Sequence, residues 1–104
     1  MIVQRSTWKV KRGSEQKMID LLAHYLHDPQ SALKRIYRPY FLGTFGVIVG
    51  EFEYQSLAEL EEDWAAFFAD PETVALAQKW SELVDSDNND DHSEVWRMVE
   101  IGPA

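Results

Sequence analysis

Two glutamates separated by a single residue are the clearest candidates for chemistry in this sequence. Glu51 and Glu53 lie in residues 45–54, whose branched and aromatic side chains predict a β-strand. Because successive strand side chains alternate between faces, both carboxylates should point to one face, about 7 Å apart. This spacing could provide paired carboxylates or a cation site. The general preference of carboxylates for water favours the alternative of two solvated or arginine-paired glutamates.

An arginine is expected to face this pair. Residues 33–40 predict a second strand, joined to 45–54 by a hairpin that turns around Leu42-Gly43-Thr44. That register places Arg35 opposite Glu51. A charged pair within a sheet is costly unless its hydrogen bonds are satisfied. It is therefore either an exposed or interfacial ion pair that holds the register, which we favour, or a functional polar site.

Histidines provide a second pattern with chemical potential. Asp20, His24 and His27 have helical spacing, which could bring two imidazoles and a carboxylate to one metal. The helical HExxH arrangement is absent, and the sequence offers no obvious fourth ligand. A solvated helix face is therefore favoured, and His92 has no assigned role. We expect no metal site here.

The acidic run at residues 85–91 resembles a calcium loop at first, with oxygen ligands at alternate positions. Two required residues are wrong, because the sixth position is Asp90 instead of glycine and the twelfth is Trp96 instead of a bidentate glutamate. We therefore predict a solvated surface loop. The sequence also lacks a Walker motif and a Gly-x-Ser-x-Gly nucleophile elbow.

The sequence predicts secondary-structure elements in the order strand, helix, strand, strand, helix pair, strand. Residues 2–10 and 94–101 alternate as strands, and apolar residues after Ser14 recur at helical spacing until Pro29. Ser56 and Glu59 form a capping box for the second helix, and Asp70-Pro71 starts the third. This order predicts an α+β fold with one sheet face left uncovered, which is typical of a dimer.

Composition narrows the function classes. The 104 residues fit one domain, residues 1–104, and contain no cysteine, which excludes disulfides and thiolate chemistry. A cytoplasmic location is therefore natural, and no apolar run is long enough for a membrane span. The net charge is −8, with eight basic and three acidic residues in 1–43 and two basic and fifteen acidic residues in 44–104. This acidity disfavours nucleic acid or anionic lipid as a partner.

The chain resembles the NIPSNAP-like and antibiotic-biosynthesis-monooxygenase-like group of dimeric α+β barrels. The resemblance rests on Arg35-Ile36-Tyr37-Arg38-Pro39-Tyr40, on Gly43 and the strand that ends Glu51-Phe52-Glu53-Tyr54, and on the capped helix Ser56-Leu57-Ala58-Glu59 with Trp64 and Asp70-Pro71-Glu72. It implies a ferredoxin-like unit with a four-stranded antiparallel sheet. The face without helices would pair with a second subunit and close a barrel. These motifs specify the fold better than the function.

The resemblance also implies a pocket, either between sheet and helices or inside the barrel. Strand residues able to line it are Arg35, Tyr37, Glu51, Glu53, Trp96 and Arg97. A homodimer that binds a small apolar or aromatic metabolite without a cofactor is the first hypothesis. The second is a cofactor-independent monooxygenase, oxidase or cyclase in which Tyr37, Tyr40, Trp96 or Arg97 orients an aromatic substrate. The third is a structural or regulatory dimer with a filled barrel. Some relatives bind haem through a histidine, but none of the three histidines here matches that position.

Overall fold

The computed structural model describes residues 1–40, 45–85 and 92–102. Within these described residues, four strands and three helices follow the predicted order. The elements are β1 (Ile2–Lys9), α1 (Glu15–Leu26), β2 (Leu33–Tyr37), β3 (Val47–Tyr54), α2 (Leu57–Ala69), α3 (Pro71–Leu83) and β4 (His92–Arg97). The predicted hairpin turn at 42–44 and most of the predicted acidic loop lie outside the described residues.

All four strands form one antiparallel sheet in the order β2-β3-β1-β4. The first strand of the chain therefore lies inside the sheet, between β3 and the last strand. Arg35 pairs with Glu51, as the hairpin register predicted, and the ladder shifts between Leu33 and Arg35. The α+β fold with a ferredoxin-like element order is confirmed.

The helices begin where the sequence predicts. The Ser56 hydroxyl accepts a hydrogen bond from the Glu59 backbone N–H at 3.2 Å, and the Asp70 carboxylate accepts one from the Glu72 N–H at 2.9 Å. Ser14 occupies the N-cap of α1, but its side chain makes no capping hydrogen bond. Two of the three predicted caps thus satisfy orphan N–H groups of a first helical turn.

Five strand ends differ from the sequence prediction. β1 ends at Lys9 instead of residue 10, and β4 starts at His92 instead of residue 94. β2 ends at Tyr37 instead of residue 40. Pro39 restricts the backbone of the residue before it and has no N–H to donate to the neighbouring strand, so the strand stops before it. β3 starts at Val47, after Gly46 adopts a positive φ of 78°. β4 ends at Arg97, opposite Ile2, because its partner strand has nearly run out by that point.

The helices cover only one face of the sheet. Met18 and Leu22 of α1 pack on Val10, Leu33 and Ile48, and this cluster forms the buried core. Trp80 of α3 packs beside it. The core is small, since α2 contains no buried residue and much of its apolar face is exposed. Within the described residues, no helix is long and apolar enough to cross a bilayer.

We name the two sides of the sheet by what lies on them. The cleft face carries the helices and includes Gln4, Ser6 and Trp8 of β1. The open face carries no helix formed by the described residues, and it includes the side chains that alternate with those residues, such as Arg5.

Candidate functional site

A cleft of about 480 Å³ lies between the cleft face and the helices. This volume is within the usual range for small-molecule sites in proteins. Aromatic side chains dominate its walls: Trp8 and Phe52 from the sheet, and Tyr25, Trp64, Phe67 and Trp80 from the helices. The cleft is therefore shaped for an apolar or aromatic molecule.

The aromatic walls are braced by edge-to-face contacts. The rings of Trp8 and Trp80 cross at 83° with their centroids 4.6 Å apart, and Trp8 meets Phe52 in a similar geometry at 6.4 Å. Gly50 lies beneath Trp8, because a Cβ added there would come within 2.7 Å of the Trp8 ring. The absence of a side chain at position 50 lets this ring lie close to the strand.

Polar groups are joined into a chain at the floor of the cleft. Trp64 Nε1 donates to Gln4 Oε1 at 3.1 Å, and Gln4 Nε2 donates to Ser6 Oγ at 3.1 Å. The Ser6 and Ser93 hydroxyl oxygens lie 2.8 Å apart. Gln4 and Ser6 are each only 3% exposed. Both residues are hydrogen-bonded, which is what allows buried polar groups to be tolerated. Trp64 and Ser93, at the two ends of the chain, are exposed.

A tyrosine–aspartate pair forms a second polar group on the cleft wall. The Tyr54 hydroxyl donates to Asp63 Oδ2 at 2.8 Å. Burial raises the pKa of the Tyr54 phenol well above its usual range, and the hydrogen bond and charge of Asp63 raise it further. Burial and the charge of Asp70 also raise the pKa of Tyr25. Both phenols are therefore neutral near pH 7 and cannot act there as phenolate bases.

The open face has a different chemistry, based on ion pairs. Arg35 Nε donates to Glu51 Oε1 at 2.9 Å, and the same guanidinium also bonds Glu53. Arg5 Nε lies 3.6 Å from Glu51 Oε2, and its Cζ lies 5.8 Å from the centroid of the Tyr37 ring. The hydrogen bond to Glu51, with the charge of Glu53, raises the pKa of Arg35 above its ordinary value. The two glutamates are therefore arginine-paired.

The site residues predicted from the sequence lie outside the cleft. Arg35, Tyr37, Glu51 and Glu53 lie on the open face, and Trp96, opposite Val3 and 55% exposed, lies on it too. Tyr40 follows β2 and is almost fully exposed, and Arg97 ends β4. None of these seven described residues lines the cleft. Their roles in catalysis or ligand binding stay predictions.

The residues at the floor of the cleft were not predicted from the sequence. Gln4 and Ser6 have the same strand parity as Ile2, Trp8 and Val10, so they interrupt the apolar side of β1. This interruption could have indicated a polar site, because polar residues on a buried strand face need hydrogen-bond partners. Trp64 and Ser93 could not be assigned as those partners without the tertiary structure.

The histidines are not gathered into a site. His24 lies edge-to-face with Tyr25, and Asp20 accepts a hydrogen bond from Gln16 at 2.9 Å. His92 pairs with Glu94 at 3.3 Å. Across residues 1–40, 45–85 and 92–102, no group of three or more histidine, aspartate or glutamate side chains is arranged to hold a metal.

The four-stranded antiparallel sheet with helices on one face defines a ferredoxin-like α+β class of protein. Within that class the chain is similar to a NIPSNAP family protein of unknown function from Agrobacterium tumefaciens, with 17% identity over 99% of this chain and 92% of that one, at a TM-score of 0.79. A protein from Deinococcus radiodurans, inferred to be an antibiotic biosynthesis monooxygenase, has 13% identity over 100% and 98% of the two chains, at 0.66. SnoaB, a cofactor-independent oxygenase from Streptomyces nogalater, has 10% identity over 99% and 97%, at 0.57.

The resemblance expected from the sequence is confirmed at the level of the fold. No protein-family model matches the chain, and no curated protein matches its sequence. At these identities the structural similarity establishes architecture, not activity.

Proposed function

We propose that this chain is a NIPSNAP-like protein that binds a small apolar or aromatic metabolite in the cleft. The observation that carries the proposal is an open volume of about 480 Å³ with aromatic walls and a hydrogen-bonded polar floor. A purely structural role would favour a filled interior, because an unfilled apolar cleft forfeits packing contacts. Binding accounts for both the volume and the buried polar groups.

The proposal includes a homodimer formed through the open face. Trp96 and Tyr37 are 55% and 42% exposed there, beside acidic and basic groups. A face with both charge signs can be self-complementary under a two-fold axis. We further propose that residues 1–104 act as one domain in the cytoplasm, on the absence of cysteine.

Ligand binding is tested with 2-acetylnaphthalene, a neutral aromatic probe, by quenching of tryptophan fluorescence and by calorimetry. Ala77 of α3 lines the cleft, so Ala77→Trp should fill it and weaken binding at least about 10-fold. Ala75 is on the same helix but does not line the cleft, so Ala75→Trp is the matched control and should bind like the wild type. Equal affinities in both variants would refute binding in the cleft.

Dimer formation is tested separately by native mass spectrometry. Trp96→Asp places a charge on the open face and should convert a dimer to a monomer, whereas Trp96→Phe should keep it. A monomeric wild-type protein would refute the dimer but leave the proposed cleft site intact.

A cofactor-independent oxygenase is the second candidate, because the fold is shared with SnoaB. The cleft supports this less well than binding, since its two phenols are held neutral. Oxygen consumption with hydroxylated aromatic substrates, abolished by Ala77→Trp but not by Ala75→Trp, would establish it. Consumption unaffected by either variant would reject it.

A further inference from the structure

The hydrogen-bond chain at the floor of the cleft has a fixed direction. The indole Nε1 of Trp64 can only donate, so the Gln4 atom that lies 3.1 Å away must be its oxygen. This fixes the orientation of the Gln4 amide, whose nitrogen then donates to Ser6 Oγ. The first two bonds therefore run from Trp64 to Gln4 to Ser6.

The third bond follows from the burial of Ser6. Its side chain is enclosed, and Ser93 Oγ at 2.8 Å is the remaining polar partner of its hydroxyl. If Ser93 donated this bond, the Ser6 proton would be buried without an acceptor, which native proteins avoid. Either hydroxyl could donate by geometry alone, and on the ground of burial we assign Ser6 as the donor and Ser93 as the acceptor, so that the chain continues in the same direction.

The chain ends at Ser93, which lines the cleft. Because its oxygen already accepts the Ser6 proton, its own O–H is left to donate. A row of bonds polarised in one direction strengthens the terminal donor. The floor of the cleft thus presents a hydroxyl donor to whatever molecule occupies it.

Charge determines which acceptors suit this donor. The described residues that line the cleft include Asp28 and Asp63 but no lysine or arginine. These lining carboxylates disfavour an anionic ligand, and the net charge of −8 has the same effect at longer range. An uncharged acceptor, such as a carbonyl oxygen, avoids this repulsion.

We propose that the cleft selects neutral aromatic ligands that carry a carbonyl oxygen, which accepts a hydrogen bond from Ser93. This inference rests on the proposed binding function and names the ligand class of the same site. Ser93 is then a specificity-determining residue, while Gln4 and Ser6 position it.

Three naphthalenes of matched shape test the selection by fluorescence quenching and calorimetry. 2-Acetylnaphthalene has a carbonyl, 2-isopropenylnaphthalene replaces its oxygen with CH2, and 2-naphthoate is an anion. The acetyl compound should bind about 3- to 10-fold more tightly than the isopropenyl compound, as one net hydrogen bond predicts. It should also bind more tightly than the naphthoate.

Variants of Ser93 tie this preference to one hydroxyl. Ser93→Ala should bind the acetyl compound no better than the isopropenyl compound, and Ser93→Thr should restore the difference by restoring a hydroxyl. Ser81 is an exposed α3 serine that donates to the Gln78 carbonyl, so Ser81→Ala is the control and should match the wild type. Circular dichroism verifies that each variant is folded.

The outcomes separate this inference from the function on which it rests. Equal binding of the acetyl and isopropenyl compounds to the wild type would overturn the selection but leave the binding site standing. Tighter binding of the naphthoate would overturn the charge argument. Failure of all three to bind would overturn both the selection and the proposed function.

Discussion

Neighbouring residues of β1 lie on opposite faces of one sheet and satisfy their polar groups in opposite ways. Gln4, on the cleft face, is buried and uses a neutral amide bonded on both sides. Arg5, on the open face, keeps a charged group about half exposed beside Glu51. Removing a charge from water is far more costly than removing an amide. The contrast shows that the environment of each face determines which polar chemistry it can hold.

The largest difference between the two faces should be the loss of stability when a packed side chain is truncated. Ile48 points into the core and is 0% exposed, whereas Val49, the next residue of β3, is only partly buried. Ile48→Ala should lower the free energy of unfolding by about 2–5 kcal/mol, since it leaves a cavity. Val49→Ala should cost less than half as much, as measured by urea denaturation of dilute protein.

The dependence of these costs on protein concentration tests whether a second copy covers the open face. A Val49→Ala cost that grows with protein concentration would indicate that a second copy covers the open face, as proposed. Equal costs of the two substitutions at every concentration would mean that the faces do not differ in burial.

The second difference between the faces is the cost of removing a hydrogen-bonded or ion-paired side chain. Gln4→Leu leaves the Trp64 N–H without its acceptor and removes the bond that Gln4 donates to Ser6, so it should cost about 1–3 kcal/mol. Arg5→Leu removes a half-exposed ion pair and should cost less than about 1 kcal/mol. Chemical denaturation of both variants measures the difference. A larger loss for Arg5→Leu would reverse our account of the two faces.

The titration of Tyr54 gives the third contrast. Because its folded pKa is raised above the unfolded value of about 10, its contribution to stability is complete below that pH and is lost as the pH rises through the folded pKa. Absorbance at 295 nm should therefore show a phenol that ionises late, and Tyr54→Phe should remove it. Loss of the bond to Asp63 should cost about 1 kcal/mol at pH 7. If a tyrosine that ionises at high pH is still observed in Tyr54→Phe, the raised pKa belongs to a different tyrosine.

The smallest expected difference is in how salt changes the stability cost of a substitution on each face. Glu51→Gln removes the carboxylate that both Arg5 and Arg35 contact, and the resulting loss of stability should shrink as ionic strength rises to about 1 M. The loss caused by Gln4→Leu involves no ions and should stay constant over the same range. Denaturation midpoints at low and high salt test this, and identical salt responses would contradict it.

The fold was more predictable from sequence than the site because the two depend on different information. The pairing of Arg35 with Glu51 and the caps at Ser56 and Asp70 follow from local patterns, and the structure confirms each of them. The end of β4 does not follow from a local pattern. Apolar and polar residues alternate as far as residue 101, but pairing with β1 ends opposite Ile2. A ladder ends where its partner ends, which is a property of two distant segments.

The site depended on such distant segments throughout. The hydrogen-bond chain at its floor joins Gln4 and Ser6 of β1 to Trp64 of α2 and Ser93 of β4. The charged residues that drew attention in the sequence instead pair with one another on the open face. The charged residues that stand out in the sequence therefore lie on the open face of the sheet. The cleft instead contains uncharged polar residues at strand positions where apolar residues are expected.

The central position of β1 also affects how the protein can be made. Its two partners are β3 and β4, and residue 97 emerges from the ribosome well after residue 54. At a synthesis rate of about 5–20 residues per second, β1 and β3 wait on the order of seconds for the last strand. During that interval one backbone edge of β1 lacks its ladder partner, and such an edge can pair with another nascent chain. Growing chains of this protein are thus most exposed to misassembly in the interval between the emergence of β3 and that of β4.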